Sequence, residues 1–191
     1  MASLIVGLGN PGGEYARTRH NVGWMCLTEL ESRGRFGRER REGPAKVREG
    51  QVGGYDIVTA RPQTFMNVSG RAAVHLLATY GVPAQDLIVV HDDVDLPLGR
   101  LRLKRGGGAA GNKGVLSIVD SLRTPDFLRV RIGVSRPVER DQMIDYVLDR
   151  FTPEERDRLA AVLPRTAAAV MALVRDGLEP AMSEYNRAPD D

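Results

Sequence analysis

A histidine, an aspartate and two asparagines stand where short apolar runs of this chain give way to polar loops. Asn10 follows Leu4-Ile5-Val6, Asp92 follows the run Leu87 to Val90, Asn67 opens a helical pattern, and His20 lies just ahead of another. If those loops converge, the four residues make a hydrolytic set without a nucleophilic side chain. Histidine titrates near pH ~6.5 and can take a proton from water at neutral pH. A carboxylate on its other ring nitrogen fixes the tautomer and steadies the imidazolium. Asparagine amides can donate to a carbonyl oxygen that gains charge during attack. His20 is one of three histidines and the best-placed base. His75 falls inside a helical pattern and His91 within a strand end, where supporting roles are expected. Taken singly, Asp92 is equally well read as a turn or cap residue, and Asn10 and Asn67 are better read so. Only their combination points to chemistry.

For these residues to meet, the elements must share one edge. The first 24 residues, MASLIVGLGNPGGEYARTRHNVGW, read as a buried strand, a tight glycine loop and the start of a helix, with polar groups at the strand's carboxyl end. In open α/β sheets that edge is where ligands bind. Trp24, Cys26, Leu27 and Leu30 fall at helix spacing up to Gly34, and residues 34–50 read as an exposed, mobile loop. Val47 to Val52 and Tyr55 to Ala60 flank Gly53-Gly54 as a hairpin that Arg61-Pro62 stops. A helix with Ala72, Leu76, Leu77 and Tyr80 on its apolar face ends at Gly81, and Leu87 to Val90 reads as a buried central strand. Leu101 to Lys104 predicts a strand that enters the glycine loop from Gly106 to Gly114, followed by a helix through Val115, Ile118, Val119 and Leu122. Phe127 to Val134 predicts a strand with Arg129 and Arg131 on one face. Gln142 to Leu148 is a short helix, and Thr152-Pro153-Glu154-Glu155 opens a long one to Asp176, kinked at Pro164 and closed by Gly177. Strands alternating with helices predict an α/β fold: one domain over 1–191, a three-layer α/β/α sandwich around a twisted mixed, largely parallel sheet, with 178–191 as a C-terminal tail.

Several readings are excluded. Gly7, Gly9 and Gly12 spell the dinucleotide fingerprint, but Pro11 and Gly12-Gly13 keep the chain in a loop, and Glu29 and Glu31 lie in a helical pattern, not at a second strand's end. The later glycine loop is no Walker motif, because Asn112 follows Gly111. No spacing of His, Cys and carboxylates suggests a metal site. Cys26 is the single cysteine, placed in an apolar helical stretch, so it reads as a buried thiol in a reducing compartment. No apolar run approaches the ~20 residues of a membrane span, and the amino terminus reads as a strand, not a signal peptide. A cytoplasmic protein is expected.

The net charge of the 191 residues is only +2, yet it is uneven. Between Gly99 and Arg136 lie Arg100, Arg102, Lys104, Arg105, Lys113, Arg123, Arg129, Arg131 and Arg136 against Asp120 and Asp126, and a second basic cluster runs from Arg33 to Arg48. Such an excess is either a solvated face or the footprint of a polyanionic partner.

Four stretches now combine: LIVGLGNPGGEYARTRHNVGW, RPQTFMNVSG, HDDVDLPLGRLRLKRGGG and FLRVRIGVSRP. In order and spacing they resemble the bacterial peptidyl-tRNA hydrolase family, from Leu4 to about Phe151. The resemblance implies a monomeric esterase needing no metal and no cofactor, which cleaves the ester joining a peptide to the 3′ ribose of tRNA. It implies His20 as general base, Asp92 as its carboxylate and Asn10 as the group telling blocked from free aminoacyl ends. It further implies Tyr15, Phe65 and Asn67 as lining for the peptidyl end, and Lys104 with Arg131 as a clamp on the tRNA 5′ phosphate. The chain departs from the family in its glycine loop: Ala109 and Asn112 stand where the family has histidines, and Lys113 where it has a substrate-contacting asparagine. A lysine only donates, whereas asparagine donates and accepts. Three roles stay open to Lys113: a peptide carbonyl, a terminal phosphate, or solvent. A non-catalytic RNA-binding relative of the same fold is the alternative, since some plastid relatives serve in RNA splicing; Lys113 is the one feature favouring it.

Overall fold

Alternate residues of the first strand face opposite layers. β1 (Ser3–Gly7) turns Leu4 and Val6 to one side and Ile5 to the other, all of them fully buried. In the computed structural model, which describes residues 1–188, this strand lies inside an eight-stranded mixed sheet. The other strands are β2 (Arg35–Phe36), β3 (Arg40–Glu42), β4 (Ala45–Val52), β5 (Tyr55–Pro62), β6 (Ile88–Asp93), β7 (Leu101–Arg105) and β8 (Leu128–Gly133). Their order is β2-β4-β5-β1-β6-β8-β7, with β3 beside β4. β1 is parallel to both β5 and β6, and β6 to β8, so the centre is parallel; β2, β3, the β4–β5 hairpin and β7 make antiparallel margins.

The helices are α1 (Val22–Ser32), α2 (Ser69–Tyr80), α3 (Lys113–Leu122), α4 (Met143–Leu148), α5 (Pro153–Asp176) and α6 (Leu178–Tyr185). α1, α5 and α6 cover one sheet face over a core that includes Ile5, Leu27, Val90, Val130 and Val170. α2 and α3 cover the other over Leu4, Val6, Leu76, Val89 and Ile118. The three-layer α/β architecture is therefore present. α2 ends on Gly81 in the left-handed region at φ 63°, and α5 opens with the capping box, Thr152 and Glu155 exchanging side-chain and backbone bonds, then runs through Pro164 as one element. One close approach positions the site. A Cβ at Gly23 would stand 2.5 Å from the Val90 carbonyl oxygen, so only glycine lets the first turn of α1 press onto the carboxyl ends of β1 and β6.

Three local expectations are corrected. Residues 34–50 are not a loop: β2 and β3 pair antiparallel with β4, which already begins at Ala45. Their charges sit on an edge ribbon, where alternation with solvent favours polar side chains and hides the strand signal. Pro62 ends β5 from inside the strand instead of stopping it beforehand. Residues 178–185 of the expected tail form α6, whose Ala181, Met182 and Tyr185 pack into the core; 189–191 lie outside the described residues.

Candidate active site

His20 sits in a single 3-10 turn, Arg19–Asn21, wedged between the glycine loop after β1 and the start of α1. Its Nδ1 lies 2.9 Å from Asp92 Oδ2 at the carboxyl end of β6. An ionised carboxylate only accepts, so Nδ1 carries the proton and donates, and Nε2 is left as the basic nitrogen. The Asp92 side chain is 3 % exposed and that of His20 12 %, so the pair is shielded while the ring edge stays reachable. Asp92 is held a second time. Asn112 donates from Nδ2 to Asp92 Oδ1 and to its carbonyl, each at 3.2 Å, while its Oδ1 caps α3 by accepting from Gly114 and Val115.

Asn10 is 7 % exposed and locked by three bonds. Its backbone exchanges hydrogen bonds with the fully buried Asn21 side chain, at 2.9 and 3.0 Å, and its Oδ1 accepts from the Met66 amide at 2.7 Å. That last bond fixes the orientation of the amide and leaves Nδ2 as a donor for a ligand. His20, Asp92 and Asn10 open onto one cleft of about 370 Å³, shared with Tyr15, Phe65, Asn67, Asn112 and Lys113 and closed opposite by Met143, Ile144, Val147 and Leu148 of α4. Among the described residues, no serine, threonine or cysteine lines it. Cys26 is fully buried elsewhere, and burial pushes its thiol up to about 12, so it is no nucleophile. His91, behind the site, donates from Nδ1 to the Asp92 carbonyl at 2.7 Å, and burial holds its pKa below the usual range, so it stays neutral.

A sequence model of the family described as peptidyl-tRNA hydrolase matches residues 4–191. The chain belongs to the peptidyl-tRNA hydrolase family. Peptidyl-tRNA hydrolases of Roseiflexus sp. (strain RS-1) and Dehalococcoides mccartyi are 45 % and 41 % identical to it, over 97 % and 96 % of this chain and 86 % and 98 % of their own. A solved structure, the Acinetobacter baumannii peptidyl-tRNA hydrolase, superposes with a TM-score of 0.90 at 32 % identity, covering 97 % of this chain and 94 % of that one. The protein is thus a hydrolase of this enzyme family.

Other residues singled out from the sequence fall into two places. Tyr15, Phe65, Asn67 and Lys113 reach the cleft with His20; Phe65 is 64 % exposed at its mouth, and neither the Asn67 nor the Lys113 side chain makes a hydrogen bond or ion pair among the described residues. Lys104 and Arg131 lie instead on the margin formed by β7 and β8. Leu101, Leu103, Val130 and Ile132 of these strands face the α5 side, so Arg102, Lys104, Arg129 and Arg131 share the other face. Lys104 pairs across the strands with Arg129, and Arg102 with Arg131. Like charges directly opposite repel. Asp93 accepts from Arg131 Nε at 2.6 Å, whereas buried Arg129 donates to two carbonyls, Gly108 at 2.6 Å and Gly107 at 2.8 Å, and lies 4.9 Å over the Phe127 ring, with no carboxylate partner among the described residues. Burial first, then Arg131 and Arg129, hold the Lys104 ammonium below its usual pKa against the opposing pull of Asp93.

The sequence reading missed Asn21, the partnership of Asn112 with Asp92, and the whole α4 wall. Asn112 had a visible signal, an asparagine just before a helix. Met143, Ile144, Val147 and Leu148 do repeat at helical spacing, but nothing in that spacing says which cleft they face.

Proposed function

We propose that this enzyme hydrolyses the ester of peptidyl-tRNA with water as nucleophile, His20 as general base and Asp92 as the carboxylate that sets the histidine tautomer. The observation that carries the reading is the 2.9 Å His20–Asp92 contact in a cleft without serine, threonine or cysteine. With Nδ1–H given to Asp92, Nε2 takes the proton of a water that attacks the ester carbonyl. Asn10 Nδ2 donates to the substrate, and Asn67, next to the Met66 amide that holds Asn10, offers a second amide in the same cleft. An N-blocked substrate presents a neutral amide whose carbonyl accepts such a bond; a free aminoacyl end presents an ammonium that cannot. Tyr15 and Phe65 flank the peptidyl end, and Lys113 supplies a donor where most of the family has an asparagine. Lys104 and Arg131 take the tRNA 5′ phosphate, which relieves the cross-strand repulsion described above and orients the ester towards the cleft.

The test is cleavage of N-acetyl-aminoacyl-tRNA and of the free aminoacyl form by the purified enzyme and by His20→Ala, with chelator present. Turnover of the blocked substrate alone, falling by about 10²–10⁴ in the variant, is expected. Undiminished turnover in His20→Ala removes the base, and equal cleavage of both substrates removes the selectivity argument.

A further inference from the structure

Arg19 precedes His20 in the same turn, yet it takes no part in lining the cleft. Its side chain is buried and spent on the far side of α4. Nη1 donates to the Tyr146 carbonyl at 3.0 Å, Nη2 donates to Glu155 Oε2 at 2.7 Å, and the guanidinium lies 4.0 Å over the Tyr146 ring and 5.7 Å from that of Phe151. The Arg19 amide donates to the Asp149 carbonyl at 3.0 Å, Thr18 bridges to Arg150, and the Tyr146 hydroxyl donates to the Val134 carbonyl. Glu155 is itself fixed, because the same Oε2 accepts from Thr152 in the capping box of α5.

α4 has six residues, too few to hold helical structure by propensity, so its position depends on these anchors. Tyr146 points back to Arg19, and the opposite side presents Met143, Ile144, Val147 and Leu148 to the cleft with no polar group among their side chains. One turn therefore carries the base and also holds the apolar wall that faces it.

We propose that Arg19 is a positioning residue that sets α4 against His20, and that the α4 wall receives the side chain of the amino acid esterified to the tRNA. The proposal rests on the cleft being the site of ester hydrolysis. A leucyl ester places apolar surface against Ile144 and Val147; a glycyl ester has nothing to place there. Lysine at position 19 keeps the charge but has neither the two-nitrogen fork that reaches the Tyr146 carbonyl and Glu155 separately nor the flat face that stacks on the Tyr146 ring.

The experiment compares kcat and KM for N-acetyl-leucyl-tRNA and N-acetyl-glycyl-tRNA in the wild-type enzyme, Arg19→Lys, Glu155→Gln and His20→Ala. The wild type has the lower KM for the leucyl substrate. Arg19→Lys raises that KM about tenfold, with kcat within about twofold and the glycyl constants unmoved. Glu155→Gln, outside the cleft, acts in the same direction by a smaller factor and serves if Arg19→Lys fails to fold. Equal KM for the two substrates in the wild type, or an equal loss on both in the variants, overturns the proposal while an inactive His20→Ala leaves the base standing. An active His20→Ala overturns both.

Discussion

At the scale of single residues, the site depends on which atom of each polar group is already engaged. Asp92 uses Oδ2 on His20 and Oδ1 on Asn112, so both oxygens act as acceptors. Asn at position 92 can offer one oxygen only. Its amide nitrogen would then donate to His20 Nδ1, move the ring proton to Nε2 and occupy the nitrogen that must receive a proton from water. Asp92→Asn is expected to keep the fold and KM while kcat falls by about 10²–10⁴. Steady-state kinetics on N-acetyl-aminoacyl-tRNA reads this directly; a kcat near wild type would show that the tautomer is set by something else. The same accounting separates Asn10, whose Oδ1 is committed to Met66, from Asn67, whose side chain is exposed and uncommitted.

At the scale of elements, short segments are held by side chains standing in for backbone. β7 is the last strand on its side of the sheet, and an unpaired edge invites pairing with another chain. Asn186, just beyond α6, occupies that edge as a surrogate strand: its Oδ1 accepts from the Leu103 amide at 2.6 Å and its Nδ2 donates to the Leu103 carbonyl at 3.0 Å. Arg100 donates to the Asn186 carbonyl at 3.0 Å and completes the clasp. Asn186→Ala is expected to cost about 1 kcal/mol for each hydrogen bond lost. Chemical denaturation should show a lower midpoint at an unchanged slope, with kcat unaffected because β8 stands between this edge and Asp92 on β6. An unchanged midpoint would mean that α6 packing alone closes the edge.

At the scale of the whole molecule, the two basic stretches of the sequence separate by what surrounds them. In the cluster from Arg33 to Arg48, Arg33 meets Glu29 at 3.0 Å, Lys46 meets Glu39 at 3.2 Å, Arg48 meets Glu31 at 3.8 Å, and Arg40 pairs with Glu42 and Glu49. On the β7–β8 face, Arg102, Lys104 and Arg129 have no carboxylate partner among the described residues. Three cations left without a carboxylate on one face are what the proposed phosphate contact calls for. Lys104→Ala should weaken tRNA binding and lower the slope of log affinity against log salt by about 1, with little change in kcat, whereas Arg33→Ala leaves the slope as it is. Titrations at several salt concentrations check both, and an unchanged slope in Lys104→Ala would take this lysine out of the phosphate contact.

How much could be read in advance follows the range of each interaction. Buried strands, the capping box at Thr152, the Gly81 stop and the α/β alternation were legible because periodicity and caps are local. His20, Asp92, Asn10 and Asn67 stood out because each follows or precedes such an element, and the sequence by itself determined their place at element ends and the family resemblance, while their meeting in one cleft came from the fold. The edge ribbon β2–β3 and helix α6 were not legible, since half-exposed polar strands and a short helix take their stability from pairing and packing with distant partners. For the same reason only the tertiary structure decided that Asn112 grips Asp92, that Arg19 fastens α4, and that Arg102, Lys104 and Arg129 share one face without a carboxylate partner among the described residues. The first two are contacts between residues 20 to 136 positions apart, and no periodicity within a segment encodes which far segment it will meet.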